Sequence, residues 1–277
     1  MSTTPPGMPD EDKQRHGRSF DDAVQLYERA RPTYPADAVA WLVPPTAHEV
    51  LDLAAGTGKL TRVLLAAGHT VTAVEPLDGM RTELSRQLPR VRALAGTAER
   101  IPVPDASQDA VLVGQAWHWF DESAAVPEVT RVLRPGGALG LVWNDMDSAA
   151  PWVERLREVT GEAAAATRYG VDAGYGTVPW VAHMRERTGE PDTWRPPLGP
   201  EFGEPEWATF RHVHSQDLDT LLAGLSSRSY MILLPEAERE AILGRVAEML
   251  RTHPDTAGRD TYELPYVTRC MRALKHP

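Results

Sequence analysis

Two glycines and a carboxylate carry the first chemical signal in this chain. Leu51-Asp52-Leu53-Ala54-Ala55-Gly56-Thr57-Gly58 ends an apolar run and opens a helical pattern. Gly56 and Gly58 allow a sharp backbone turn and leave no side chain where a ligand would lie. The helix beyond offers unpaired N–H groups and partial positive charge. Glu75 closes the next apolar run, where its carboxylate can accept both hydroxyls of a ribose and disfavours a 2′-phosphate. Together these residues point to an adenosine-bearing ligand. The competing reading is a tight strand–helix turn with a solvated glutamate. A dinucleotide fold prefers a third glycine, but counting from Gly56 puts Thr61 at that position, which disfavours NAD.

A second group is Gln115-Ala116-Trp117-His118-Trp119-Phe120-Asp121. His118 between two tryptophans is the candidate general base, since imidazole titrates near neutrality. The alternative is a histidine that only hydrogen-bonds within the fold. The histidines show no H-E-x-x-H spacing, so no metal is expected.

These groups must be positioned by a regular scaffold. Strands are expected at 50–54, 71–74, 91–95, 110–114, 138–143, 207–214 and 262–274. Helices are expected at 21–29, 36–43, 59–67, 79–88, 121–133, 152–166, 218–225 and 236–250. Strands of continuous Val, Leu and Ala imply a mostly parallel sheet covered on both faces. The fold class is therefore α/β, a Rossmann-like three-layer sandwich. Residues 146–205 are too long for a plain connection and read as a helical cap inserted over the substrate pocket. The resulting organisation is a flexible leader (1–19), a cofactor-binding core with N-terminal helices (20–145), the cap, and a C-terminal completion of the same sheet (206–277).

Composition narrows the function. The 277 residues carry 29 basic and 39 acidic side chains, a net charge of −10, which argues against general affinity for nucleic acid. One cysteine, Cys270, excludes an internal disulfide and fits a reducing cytoplasm. No apolar stretch is long enough to span a membrane, and the leader has no signal-peptide core. A small-molecule substrate is expected. Oligomeric state is not addressed by these features.

The motifs taken together resemble the class I S-adenosylmethionine-dependent methyltransferases over residues 20 to 145. Asp52 followed by Ala54-Ala55-Gly56-Thr57-Gly58 resembles the family's first motif, and Glu75 with Pro76 resembles its ribose-binding acid. Gly96-Thr97-Ala98-Glu99 is similar to the adenine loop, though many relatives carry Asp where Thr97 stands. Gln115 then lies toward the methionine end, and Arg131 to Gly137 resembles the turn into the fifth strand. The resemblance implies S-adenosyl-L-methionine as cofactor, and a seven-stranded sheet whose last strand is antiparallel. The Ala116–Asp121 block and Tyr27 to Pro35 resemble a subgroup containing trans-aconitate-methyltransferase-like and natural-product enzymes. That likeness implies that Tyr27 and Arg31, on one helical face, touch the methionine portion, with Tyr27 near the chemistry.

The acceptor is expected to meet Trp119, Asn144, Trp152, Tyr169, Tyr175 and Trp180, with Asp145 ending the fifth strand. Aromatic walls suit a planar acceptor, such as an indole in specialised metabolism. Equally, such aromatics form the small core of an insertion. His212, His214 and Arg228 could line the pocket from the C-terminal half, but a solvated-surface reading is favoured. An NAD-dependent oxidoreductase and a non-catalytic cofactor-binding protein are the alternatives.

Overall fold

The computed structural model describes residues 28–161, 196–232 and 234–277. In chain order the elements are α1 (Ala36–Leu42), β1 (Glu49–Leu53), α2 (Lys59–Ala66), β2 (Thr70–Val74), α3 (Asp78–Gln87), β3 (Arg92–Leu94) and β4 (Gln108–Gly114). There follow a 3₁₀ turn at Trp117–Trp119, α4 (Glu122–Val132), β5 (Leu133–Met146), α5 (Pro151–Thr160), β6 (Glu206–Asp217), α6 (Leu218–Ser226), α7 (Ser229–Ile232), α8 (Glu236–Thr252) and β7 (Thr261–Leu274).

One seven-stranded sheet runs in the order β3-β2-β1-β4-β5-β7-β6. The pairs among β1 to β5 are parallel. β7 lies antiparallel between β5 and β6. This is the Rossmann-like α/β sandwich expected from the sequence.

The continuous apolar strands follow from burial on both faces. Alternate residues of one strand enter different cores: Ala110 and Leu112 pack with α1 and α2, while Val111 and Val113 pack with α4. Both sets are excluded from water, so β4 has no reason to alternate with polar residues. Asp121 caps α4 by accepting the Ser123 N–H, as its position before the helix suggests.

Two boundaries move. The sequence pattern places a helix over 152–166, but α5 stops at Thr160 because Gly161 adopts a left-handed φ of 66°. β5 begins at Leu133, before the Pro135-Gly136-Gly137 turn, since Gln108 already pairs with Leu133.

The described parts of 146–205 do not behave as a single cap. α5 packs with α6 and α8 against Tyr262, Leu264 and Tyr266 of β7. Residues 196–205 instead return to the opposite end of the sheet. There Phe202 bridges Lys275 and enters the core beside α4. That tail lies away from the carboxyl ends of the parallel strands, so it cannot cover a crevice there. The rest of the proposed cap, and residues 1–27, lie outside the described residues.

Asp109 ties the lower rim together. It accepts the N–H groups of His48 and Glu49, each at 2.8 Å, and pairs with Arg134. Burial opposes its ionisation, but those N–H groups and Arg134 outweigh it and hold the carboxyl below the usual range. A depressed folded pKa stabilises the fold above the unfolded value, and that stability is lost as pH falls through the folded one. The difference in Tm between the wild type and Asp109→Ala is therefore expected to be largest at neutral pH. It should close below about pH 4, the unperturbed carboxyl value; a gap independent of pH in thermal melts would refute the charge-based account.

Candidate active site

The turn after β1 alternates left-handed residues: Ala54 at φ 58°, Gly56 at 57° and Gly58 at 93°. This curls the backbone over the start of α2, whose N-cap, Gly58, supplies no side-chain cap. Within the first turn of α2 the Thr61 amide is held by the Asp52 carboxylate, and the helix start lies at the carboxyl end of β1, where a helix N-terminus favours an anionic or acceptor group. A Cβ on Gly56 would meet only Met80 Sδ, at 3.9 Å. The space above Gly56 is thus open for a ligand.

Glu75 fixes the turn from the neighbouring strand. One oxygen accepts the Gly56 N–H and the other the Leu77 N–H, both at 2.9 Å. The side chain is 4% exposed, and each oxygen keeps a second lone pair for a ribose hydroxyl. Pro76 follows it, exposed, and its carbonyl takes a long 3.4 Å contact from Arg81. Leu77, 57% exposed, offers an apolar lip that the sequence reading missed. Its sequence signal is its place two residues past Glu75, just beyond the carboxyl end of β2, where ligands approach such sheets.

Asp52 sits beneath the turn, buried, with one oxygen accepting the Thr61 hydroxyl at 2.5 Å. Its other oxygen has no partner. Burial pushes its pKa up to about 7, with the Glu75 charge adding to the rise against the Thr61 hydrogen bonds. Thr61 stands where a dinucleotide fold would place its third glycine, and its hydroxyl is used to hold Asp52. A buried, half-satisfied carboxylate calls for a cationic or hydrogen-bond-donating ligand nearby.

Gln115 follows β4 with φ 59°, a left-handed conformation uncommon outside glycine. Its Nε2 donates to the Asn144 carbonyl at 3.1 Å, and its buried Oε1 has no partner. In the adenine-loop segment, Thr97 bridges to Arg100. The Ala98 methyl packs into the core with Ile101 and Val103. Glu99 accepts the Asp121 N–H at 3.0 Å. Of this loop's expected ring contacts, Ala98 therefore has only backbone to offer.

Thr57 and Lys59 both bond to Glu28 on the N-terminal segment, and Arg62 lies 3.6 Å from the same carboxylate. The sequence reading did not single out Glu28. Arg31, expected at the methionine portion, donates to the Ser227 carbonyl at 3.2 Å, so it reaches toward the end of α6.

His118 lies in the 3₁₀ turn with its ring 4.9 Å from that of Trp119. Burial lowers its pKa to about 4. It is neutral at pH 7, but so weakly basic that taking a hydroxyl proton is strongly uphill. Trp119 is 65% exposed, whereas Trp117 is buried and donates to Glu122 at 2.6 Å.

Several expected acceptor contacts are placed elsewhere. Both ends of the Asn144 amide are committed: Nδ2 donates to the Thr33 carbonyl and Oδ1 accepts from Thr268. Asp145 pairs with Arg269 at 3.3 Å. Trp152 is buried in the apolar cluster of α5, α6 and α8, the insertion-core alternative. Conversely, His212 and His214 are half-buried and engaged by the protein. His212 stacks on Tyr266, and His214 bonds to the Arg29 carbonyl. Tyr27, Tyr169, Tyr175 and Trp180 lie outside the described residues. Among the described residues, no cluster of three His, Cys, Asp or Glu could hold a metal.

A glycine-lined crevice at the carboxyl ends of β1, β2 and β4, with a ribose-type acid, defines a nucleoside-cofactor site of the Rossmann-like class. Comparison with known proteins makes the class specific. A family model described as a methyltransferase domain matches residues 51–141. An uncharacterised methyltransferase of Mycobacterium tuberculosis is 46% identical over 255 residues, covering 92% of this chain and 95% of its own. An uncharacterised methyltransferase-like protein of Schizosaccharomyces pombe is 32% identical over 265 residues, covering 94% and 96%. Among solved structures, one described as a "putative type II methyltransferase" from Anaeromyxobacter dehalogenans is 26% identical with a TM-score of 0.58, covering 88% of this chain and 96% of that one. The chain belongs to the class I S-adenosylmethionine-dependent methyltransferases, and its cofactor is S-adenosylmethionine. The open space over Gly56 and the unpartnered acceptors of Asp52 and Gln115 fit that group.

Proposed function

We propose that the enzyme methylates a small planar molecule at an oxygen, nitrogen or activated carbon. The supporting observation is the Gly56–Glu75 unit, with open space above Gly56, together with the unpartnered buried acceptors of Asp52 and Gln115 at the carboxyl ends of β1 and β4. Bound S-adenosylmethionine supplies an electrophilic methyl on a sulfonium. In this reading Glu75 holds the ribose, Leu77 and the Thr97–Glu99 backbone flank the adenine, and Asp52 and Gln115 receive donors of the methionine end. Residues 28 to 31 close over that end.

The aromatic-acceptor idea rests on the exposed Trp119, since Trp152 and Tyr266 both belong to the buried cluster of α5, α6, α8 and β7. A heterocycle such as an indole remains the preferred acceptor class. His118 stays beside the methyl end as a wall and weak hydrogen-bond partner, because its low basicity makes it a poor proton sink. Among the described residues no helix is long and apolar enough to cross a membrane. We place the enzyme in the cytoplasm on its single cysteine, which is buried and free.

Calorimetry separates this from the oxidoreductase reading. S-adenosylhomocysteine is expected to bind at one site per chain, and NAD to give no heat. Tight NAD binding with no response to S-adenosylhomocysteine would reverse the assignment.

A further inference from the structure

Hydrogen bonds span the site end of the sheet from β4 to β6, joined at Asn144 through its backbone carbonyl on one side and its side-chain amide on the other. Gln115 Nε2 donates to the Asn144 carbonyl. The Asn144 amide nitrogen donates to the Thr33 carbonyl at 3.0 Å, so its oxygen is left to accept. Thr268 gives its only hydroxyl proton to that oxygen at 2.6 Å. The Thr268 oxygen, 3.2 Å from His212 Nδ1, can then only accept, so Nδ1 carries the imidazole proton.

This order has one consequence for each end. A neutral imidazole that donates from Nδ1 holds a lone pair on Nε2. His212 Nε2 is buried and has no partner, and the same holds for Gln115 Oε1. Both ends of this array are therefore buried acceptors awaiting donors, which costs free energy unless a ligand supplies them.

The surroundings describe the ligand. The His212 ring stacks on Tyr266 with centroids 5.5 Å apart and planes at 21°. Arg31 and Arg228 act on the Tyr266 phenol, while His214 and Asp37 lie close enough to influence His212. The strap of residues 29–33 covers this face through the carbonyls of Arg29, Ala30 and Thr33 and the Arg31 side chain. Gln115 and His212 are separated by three strand spacings, β4 to β5, β7 and β6, or roughly 14 Å between backbones. That is too far for His212 to serve the atom being methylated.

Resting on the methyltransferase reading, we propose that His212 Nε2 is a specificity-determining contact. It receives a neutral O–H or N–H donor on a planar part of the acceptor, remote from the methylated atom. The acceptor is then longer than one ring and presents a phenol-like or pyrrole-like donor to β6. Burial keeps His212 below the ordinary histidine range, so the lone pair is present at neutral pH. A carboxylate offers no proton to that lone pair and is disfavoured.

The test uses the full chain with ¹⁵N-labelled histidine, with and without saturating S-adenosylhomocysteine, and phenol, anisole and benzoate as probes. The Nδ1–H tautomer is expected for His212 at neutral pH, and Thr268→Val should mix the tautomers. Phenol should move the Nε2 resonance and anisole should not. In His212→Phe, phenol affinity should fall about five- to tenfold, the worth of one neutral hydrogen bond, with S-adenosylhomocysteine affinity unchanged. An Nε2–H tautomer, equal responses to phenol and anisole, or preference for benzoate would each overturn the proposal. Loss of S-adenosylhomocysteine binding by the wild type would instead count against the methyltransferase reading, because the tautomer and probe measurements run without it.

Discussion

Glu75→Ala is expected to weaken S-adenosylhomocysteine binding by roughly one to four orders of magnitude. Charge-assisted hydrogen bonds contribute about 1.5–3 kcal/mol each, and one or two to the ribose would be lost. The substitution also strips partners from the Gly56 and Leu77 amides, each held at 2.9 Å. The turn then loses its tie to β2 except for the Ala55 N–H to the Val74 carbonyl. Glu75→Gln separates the two effects. It keeps the shape but turns an NH₂ toward an amide or a hydroxyl, so binding should fall with less loss of thermal stability. Titration calorimetry on both variants decides the point; an unchanged affinity in Glu75→Ala would mean that the sugar is held elsewhere. The Asp52 carboxyl should also become easier to ionise once the Glu75 charge beside it is gone.

Gly58→Ala is expected to be the more damaging of the two glycine substitutions for the fold itself. Gly58 stands at φ 93°, and an added Cβ would lie 3.0 Å from Leu88 Cδ1 and 3.1 Å from Leu84 Cγ. The left-handed backbone costs an alanine about 1–2 kcal/mol, and overpacking against α3 adds about 1–3 kcal/mol. The resulting fall in Tm is roughly 4–20 °C for a chain of this size. Gly56→Ala faces the backbone cost alone, since only Met80 Sδ approaches, at 3.9 Å. It should therefore be milder in thermal melts, while its new methyl intrudes on the ligand side of the turn. Equal melting losses in the two variants would contradict the packing argument.

The parts of the site legible in the sequence are those made within one strand–turn–helix unit. Gly56, Gly58 and Glu75 lie at the ends of adjacent strands, β1 and β2, and the chemistry of a sharp turn restricts which residues can stand there. Asp121 as a helix cap and the two-faced strands were readable for the same local reasons. His118 was readable as a position but not as a base, because its weak basicity comes from burial by distant residues. Trp152 and Asn144 were misplaced on similar grounds. An aromatic in an insertion and an amide at a strand end suit either a ligand or the protein, and only α8 and Thr268 decide for the protein.

From the order of residues alone come the α/β class, the glycine turn with its acid, and the family to which they belong. Each rests on contacts between near neighbours in sequence or on a periodicity that burial imposes on every strand. The tertiary structure alone decides the state of His212. Its tautomer depends on Thr268, Asn144 and Thr33, which are brought together from β7, β5 and the N-terminal strap. Hydrogen-bond direction passes from one partner to the next only when all of them are in place, so no local pattern can encode it.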